Sequence, residues 1–219
     1  MKISAVIPTL NAAAALPATI AALAGIADIV VADGGSRDGT EAAATAAGAR
    51  VVTSARGRGP QIAAGIAAAR EDWLLLLHAD TRLDPAWRDD ANAHMRDAPD
   101  KAGYFAFALD SADPKARRLE RMVAWRCRVL ALPYGDQGLL IHKDTLARVG
   151  GIRPLPLMED VDLIRRLGRR SLRPLSAQAV TSAAKWESQG WYRRSARNLI
   201  CLSLWHLGLP PARIARLYG

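Results

Sequence analysis

A chain of 219 residues, half of them hydrophobic, has enough material for one domain with a substantial core, and this excludes a disordered polymer. Its two cysteines, Cys127 and Cys201, are far apart and form no CxxC pair, so a disulfide scaffold and a structural zinc site are excluded and a reducing compartment is expected. The formal charge of +9 favours polyanionic partners such as nucleotide phosphates or anionic lipid, although a solvated Arg-rich surface would give the same number.

The first hundred residues alternate short apolar runs with Ala-rich helical stretches. Ile3–Ile7 reads as a buried strand, Ala14–Leu23 as a helix, Asp28–Ala32 as a strand, and Asp38–Gly48 as a helix. Arg50–Thr53 and Trp73–His78 read as strands either side of a helix over Pro60–Arg70, and Asp84-Pro85 opens another helix. Continuous apolar strands separated by helices predict a mostly parallel sheet covered on both faces. In such a sheet the strand C-termini share one rim, where ligands bind, and Pro8, Asp33 and His78-Ala79-Asp80 are expected there.

After residue 100 the pattern changes, within one domain. Gly103–Leu109 alternates like a strand, Pro114–Leu130 is a long basic helix, Gly138–His142 a strand, and a helix follows Met158. Two short strand-like runs end near Ser182. The tail from Gln189 to Tyr218 reads as two helices broken at Gly208–Pro211. The start, Met1–Ser4, lacks a signal-peptide stretch. The longest near-apolar run, Leu199–Leu209, falls short of the ~20 residues that span a bilayer. A cytoplasmic protein is expected, with peripheral contact at the inner face of an anionic membrane through that run and Arg193, Arg194, Arg197, Arg213 and Arg216.

Three segments carry candidate chemistry. Asp33–Thr40 joins a buried strand to a helix through two glycines, and is either a ligand loop or a plain turn capped by Asp38. Asp80 closes the most apolar strand, where one carboxylate with a diphosphate could hold a hard cation. Glu159, Asp160 and Asp162 crowd one helix start, suiting either the helix dipole or a general base. Gly57–Ile62 is no dinucleotide fingerprint, since Ile62 stands where a third glycine is needed. Lys185-Trp186 could pair with phosphate and stack, or pack on the core.

Taken in order, Val6–Asn11, Val31–Thr40, Leu77–Thr81, Gly135–Gly138 and Glu159-Asp160 resemble family-2 glycosyltransferases, which have the GT-A fold. Pro133–Gly138 and Pro156–Asp160 resemble in particular a compact bacterial branch, the radical-SAM/selenodomain-associated transferases, some of them linked to arsenosugar biosynthesis. The resemblance implies a single α/β GT-A domain over 1–219. Residues 1–100 would be the nucleotide-sugar-binding half, 101–188 the acceptor and catalytic half, and 189–219 the C-terminal helices.

The resemblance implies roles as well. Pro8 and Asn11 would line the nucleotide pocket, Asp33 would bind the base or ribose, Gly35, Asp38, Arg58, Gln61 and His78 would also bind the donor, and Lys185-Trp186 would close over the diphosphate and acceptor. Asp80 would hold a divalent metal, Mn2+ or Mg2+. Asp136 and Gln137 would face the acceptor, and Asp160 would be the base of an inverting displacement, with Glu159 beside it. Ala12 follows Asn11 where a glutamate is common, Ala32 and His78 replace expected acids, and Lys185 stands for an arginine. The alternatives are a sugar-nucleotidyltransferase, whose usual N-terminal Gly-rich loop is missing, and a non-catalytic nucleotide-binding protein. Specific nucleic-acid binding is not expected.

Overall fold

The computed structural model describes residues 2–218. The first half alternates β1 (Ile3–Thr9), α1 (Leu16–Ala22), β2 (Asp28–Asp33), α2 (Thr40–Ala46), β3 (Arg50–Thr53), α3 (Arg58–Ala68) and β4 (Trp73–Leu76). A three-residue strand β5 (Thr81–Leu83) and α4 (Trp87–Asp97) follow, then β6 (Ala102–Leu109) and α5 (Pro114–Leu130). Next come a 3-10 turn at Gly135–Gln137, β7 (Leu139–His142), α6 (Lys143–Arg148), α7 (Glu159–Leu167) and β8 (Leu172–Thr181). The tail holds α8 (Ala184–Gln189), α9 (Trp191–His206) and α10 (Pro211–Tyr218).

The strands form one sheet in the order β3-β2-β1-β4-β7-β6-β8-β5. Pairings among β1 to β4 are parallel, as are those of β6 with β8, whereas β7 runs antiparallel to both neighbours and β5 to β8. The apolar runs are buried on both faces, and the pleat sorts them by period two. Ile3, Ala5, Ile7, Leu75 and Leu77 pack with α1, α2 and α4 through Leu16, Ile20, Ala44 and Trp87. Val6, Leu74 and Leu76 pack instead with Ile62 of α3 and Leu163 and Ile164 of α7. Gly65 lets α3 close on β1, since a Cβ there would lie 2.4 Å from Val6 Cγ1.

Several expectations are corrected. The expected alternation over Gly103–Leu109 is absent: only Ala106 of that run is even partly exposed, because β6 lies inside the sheet. The two strand-like runs before Ser182 are one strand, β8, whose register against β6 shifts between Tyr104 and Ala106. The polar groups released by that shift are held by α4 and its approach: Asp90 accepts from Ala177 N (2.5 Å) and Asp84 from Gln178 N (2.6 Å). β5, α6 and α8 were not expected; each has three to six residues, too short for a periodic signal.

Register explains how distant segments meet. Thr9 pairs with Asp33 and Leu76 with Val6, so β1, β2 and β4 end at one rim. Because β7 is antiparallel to β4, its first residue, Leu139, lies opposite Leu76, and the Gly135–Gln137 turn starts from the same rim. The ends of β5 and β8 are tied by Thr81 Oγ1 to Thr181 Oγ1 (2.8 Å), and Ser182 N donates to Asp80 O (3.0 Å), which brings Lys185 alongside.

Candidate active site

The β2–α2 loop is built around Asp33, which is fully buried. Its Oδ1 accepts from Thr9 Oγ1 (2.8 Å) and Ser36 Oγ (2.6 Å), and its Oδ2 from Gly35 N (2.9 Å) and Ser36 N (2.7 Å). Burial alone would raise its pKa, but these bonds outweigh it and hold the carboxyl below its ordinary range. Asp33 thus shapes the loop and has no acceptor site left over for a ribose or base. Asn11, with φ at +52°, accepts from Arg37 N (2.9 Å), and Asp38 accepts from Ala13 N (3.0 Å) and Thr40 N (3.1 Å), so the β1–α1 and β2–α2 loops are stitched together. Asn11, Gly35 and Asp38 are exposed on this stitched edge, while Pro8 is buried beneath it. Gln61 is buried too, and donates to the carbonyls of Thr9 and Ala32.

The other wall is crowded with charge. Arg58, in the first turn of α3, contacts Glu159 (Nε to Oε1, 3.1 Å) and donates from Nη1 toward His78 Nε2 (3.3 Å). Gly59 places this turn against the 153–155 loop, where a Cβ would meet Leu155 O at 2.5 Å. Both Glu159 oxygens are buried, and neither is aligned for a hydrogen bond. Burial pushes its carboxyl up to about 7, against the opposing pull of Arg58. Burial likewise drives His78 down to about 4, helped by Arg58 and resisted by Asp80 and Asp160. At neutral pH the imidazole is therefore uncharged, and accepts from the guanidinium through Nε2.

Asp160 follows Met158, the α7 N-cap, whose φ of +67° is uncommon for a side chain with a Cβ. Met158 is buried with Cys201 and Ile214, so the tail packs against the turn that aims the acids. Asp160 Oδ2 accepts from Gly135 N and Oδ1 from Val161 N, both at 2.8 Å. Burial opposes its ionisation, but Arg58, the Gly135 N–H and His78 outweigh it and keep the carboxyl below its usual range. A Cβ on Gly135 would sit 2.6 Å from His78 Nε2 and 3.2 Å from Asp160 Oδ2, so only glycine allows this approach. Asp136 sits beside this group with Oδ1 buried and unpartnered, and burial raises its pKa. Beneath lies a cavity of about 40 Å³, lined by Pro8, Ile62, Leu77, Tyr134, Glu159 and Asp160 among others.

Asp80 stands at the open side of this wall. Its Oδ2 pairs with Lys185 Nζ at 3.2 Å. Burial would raise its pKa, but Lys185 and His78 outweigh it and lower it. No cluster of three or more metal-ligating side chains exists among the described residues. One accessible carboxylate, already paired with a cation, fits a divalent ion that takes its other ligands from diphosphate and water.

Two other expected contacts point inward. Gln137 is buried, donating to Phe105 O (3.0 Å) and accepting from Cys127 Sγ (3.1 Å), so it braces the turn. Trp186 is buried, stacked under the Arg194 guanidinium at 4.7 Å, with its indole N–H unpartnered. Sequence reasoning missed Tyr134, which lies under Arg126 at 3.9 Å and lines the cavity, with its hydroxyl pushed up to about 12 by burial. The only signal was its place beside Gly135.

The sequence pattern described as glycosyl transferase family 2 matches residues 4–152, and those residues include both rim loops and the turn at Gly135. The chain belongs to that family. It is a glycosyltransferase. No curated protein sequence matches it. Solved structures show the same fold. One is glucosyl-3-phosphoglycerate synthase from Mycobacterium tuberculosis with Mn2+, uridine diphosphate and glucosyl-3-phosphoglycerate; it is 20% identical, with a TM-score of 0.63 over 95% of this chain and 80% of that one. The same synthase with Mg2+ and uridine diphosphate aligns with a TM-score of 0.65, 20% identity and the same coverage. Mannosyl-3-phosphoglycerate synthase from Rubrobacter xylanophilus aligns with a TM-score of 0.60 and 17% identity, over 94% of this chain and 75% of that one.

Proposed function

We propose that this glycosyltransferase moves a sugar from a nucleotide-sugar donor to an acceptor hydroxyl in one inverting displacement, assisted by a divalent cation. The observation that carries the reading is Asp160: two backbone N–H groups fix its carboxylate, and with the Arg58 guanidinium they keep it ionised at the rim. An ionised, oriented carboxylate can accept the acceptor's hydroxyl proton as its oxygen attacks the anomeric carbon. Asp80 would hold the cation, with Mn2+ or Mg2+ supported by the ions in the M. tuberculosis structures. When bound, the cation would supply positive charge to the departing diphosphate. Lys185 and Arg58 would add to it from the protein side.

The stitched loops of Asn11, Gly35 and Asp38 would receive the nucleoside over the floor formed by Pro8, Asp33 and Gln61. Uridine diphosphate sugars are the first donors to test, because the M. tuberculosis structures hold uridine diphosphate and uridine-diphosphate-glucose. Asp136 would border the acceptor. The Pro133–Gly138 and Pro156–Asp160 segments support placing the chain in the radical-SAM/selenodomain-associated branch. Peripheral contact of the tail with an anionic membrane is part of this reading, supported by the exposed Arg193, Arg213 and Arg216 and by its exposed leucines. The deciding experiment is donor turnover by Asp160→Asn with the product's anomeric configuration read by NMR; wild-type turnover, or a retained configuration, rejects the mechanism.

A further inference from the structure

Charge is divided unevenly over this molecule. α5 has six basic residues and one acid, and residues 189–219 have five arginines and no acid. Together these segments hold a formal +10, so the rest of the chain carries −1 out of a total of +9. Exposed apolar side chains divide the same way. Of ten large ones among the described residues, nine belong to α5 or the tail, and the tenth is Leu10.

The two segments are neighbours. Asp113 and Lys115, at the start of α5, share one surface depression with Trp191, Tyr192 and Arg193 at the start of α9. At the other end Tyr134, four residues beyond α5, packs against the same buried cluster of Met158, Cys201 and Ile214 as Leu204 and Trp205 of α9. The start of α5 thus meets the start of α9, and the chain just past α5 meets the cluster at the far end of α9. On α5, Met122 (66% exposed), Trp125 (52%) and Val129 form an i, i+3, i+7 stripe. The exposed Arg118, Arg121 and Arg128 lie within one turn of that stripe. On α9, Leu199 (64%) and Ile200 are exposed, with Leu207 (82%) just past its end. Arg194 and Arg197 are turned away from this duty, since both bond Gln189.

We propose that α5 and α9 together form the surface by which this enzyme rests on an anionic lipid bilayer. This rests on the reading that the tail meets such a membrane, and extends it to a second, independent helix. Anionic headgroups match the arginines, while the acyl boundary takes the aliphatic side chains that no phosphate backbone of a nucleic acid would bury. A second copy of the chain is disfavoured as the occupant, because a two-fold contact would set two strongly basic surfaces against each other. No helix among the described residues is long and apolar enough to cross a membrane, so the contact is interfacial.

The test is flotation of the full chain with vesicles of phosphatidylcholine alone or with one-third phosphatidylglycerol, at 50 mM and 500 mM salt. Binding is expected only to the anionic vesicles and mostly at low salt. Neutralising three arginines of α5 (R118Q, R121Q and R128Q together) should weaken partition by on the order of 100-fold, at roughly fivefold per charge. Met122→Ser with Trp125→Ser should also weaken it, as should Leu199→Ser with Ile200→Ser. Circular dichroism melts confirm that each variant is folded. Loss in the tail variant with none in the α5 variants overturns the two-helix face but keeps the tail reading, whereas no vesicle binding by the wild type overturns both. Equal binding to single-stranded RNA, insensitive to the serine substitutions, or a dimer in sedimentation that these substitutions dissolve, also overturns it. Sugar transfer to a soluble acceptor, measured without vesicles, is judged separately from every one of these outcomes.

Discussion

The two walls of the site handle buried charge in opposite ways. On the β2–α2 side, Asp33 has all its acceptor positions filled by Thr9, Gly35 and Ser36, and Gln61 spends its amide on two carbonyls. On the α7 side, among the described residues, Glu159 has no aligned partner and Asp136 keeps a buried unpartnered oxygen, while Arg58 acts on Glu159, Asp160 and His78 at once. Satisfied polar groups rigidify a shape, whereas crowded, desolvated ones shift their pKa and can exchange protons. The first wall is therefore a mould for a ligand, and the second is where a proton can move.

The largest test of this contrast is Asp160→Asn. The amide keeps the size of the side chain but cannot take the acceptor proton, so transfer should fall by about 10²–10⁴-fold. Donor affinity, measured by calorimetry, should hold. If turnover also holds, Asp160 only ties the Gly135 turn to the start of α7 through its two backbone bonds.

Asp80→Ala probes the open edge between the walls. At a nucleotide concentration 100 times its Kd, manganese-linked binding should stabilise the wild type by about 2.7 kcal/mol, roughly 5–10 °C in Tm. The variant should lose that manganese-dependent rise. A full rise in the variant would reduce Asp80 to a strand terminus paired with Lys185.

Asp33→Asn probes the mould. The new amide N–H₂ would face donors at one oxygen's place, leaving them unpaired at a cost of about 1–3 kcal/mol in denaturant unfolding. Turnover should change only through the donor KM. A fall in kcat with KM unchanged would move Asp33 to the chemical side of the comparison.

Glu159→Gln leaves the site's geometry most nearly intact and gives the sharpest sign. Its folded pKa of about 7 is above the ordinary 4.5. The folded state therefore holds the extra proton, and the stability this contributes is present below about 4.5 and lost as pH rises through 7. Glutamine does not titrate, so the variant's Tm relative to wild type should climb between pH 5 and 7.5. His78, held near 4, slopes the other way over an overlapping range, and both proteins share its contribution. A difference that stays flat with pH would show that Glu159 ionises normally.

Much of the frame was legible in the chain because strand–helix alternation is a local property. β3 and α5 match their expected bounds, and the rim residues Pro8, Asp33 and Asp80 could be placed from strand ends alone. The short elements escaped because three to six residues carry too little periodicity to stand apart from loop. The orientation of side chains escaped for another reason. Nothing local to Trp186 distinguishes stacking on a ligand from stacking under Arg194, and nothing local to Gln137 says that it faces Phe105.

The sequence by itself determined the family, the alternation of strands and helices, and which acids end up near the rim, since motif order and hydrophobic period are both written along the chain. Tertiary structure alone decided which of those acids are spoken for. The separations of 101 positions from Arg58 to Glu159, and of 25 from Gly135 to Asp160, close when β7 turns antiparallel against β4 and the tail packs on Met158. A pKa depends on the charges and the water within a few ångströms of a group, and those are properties of the fold.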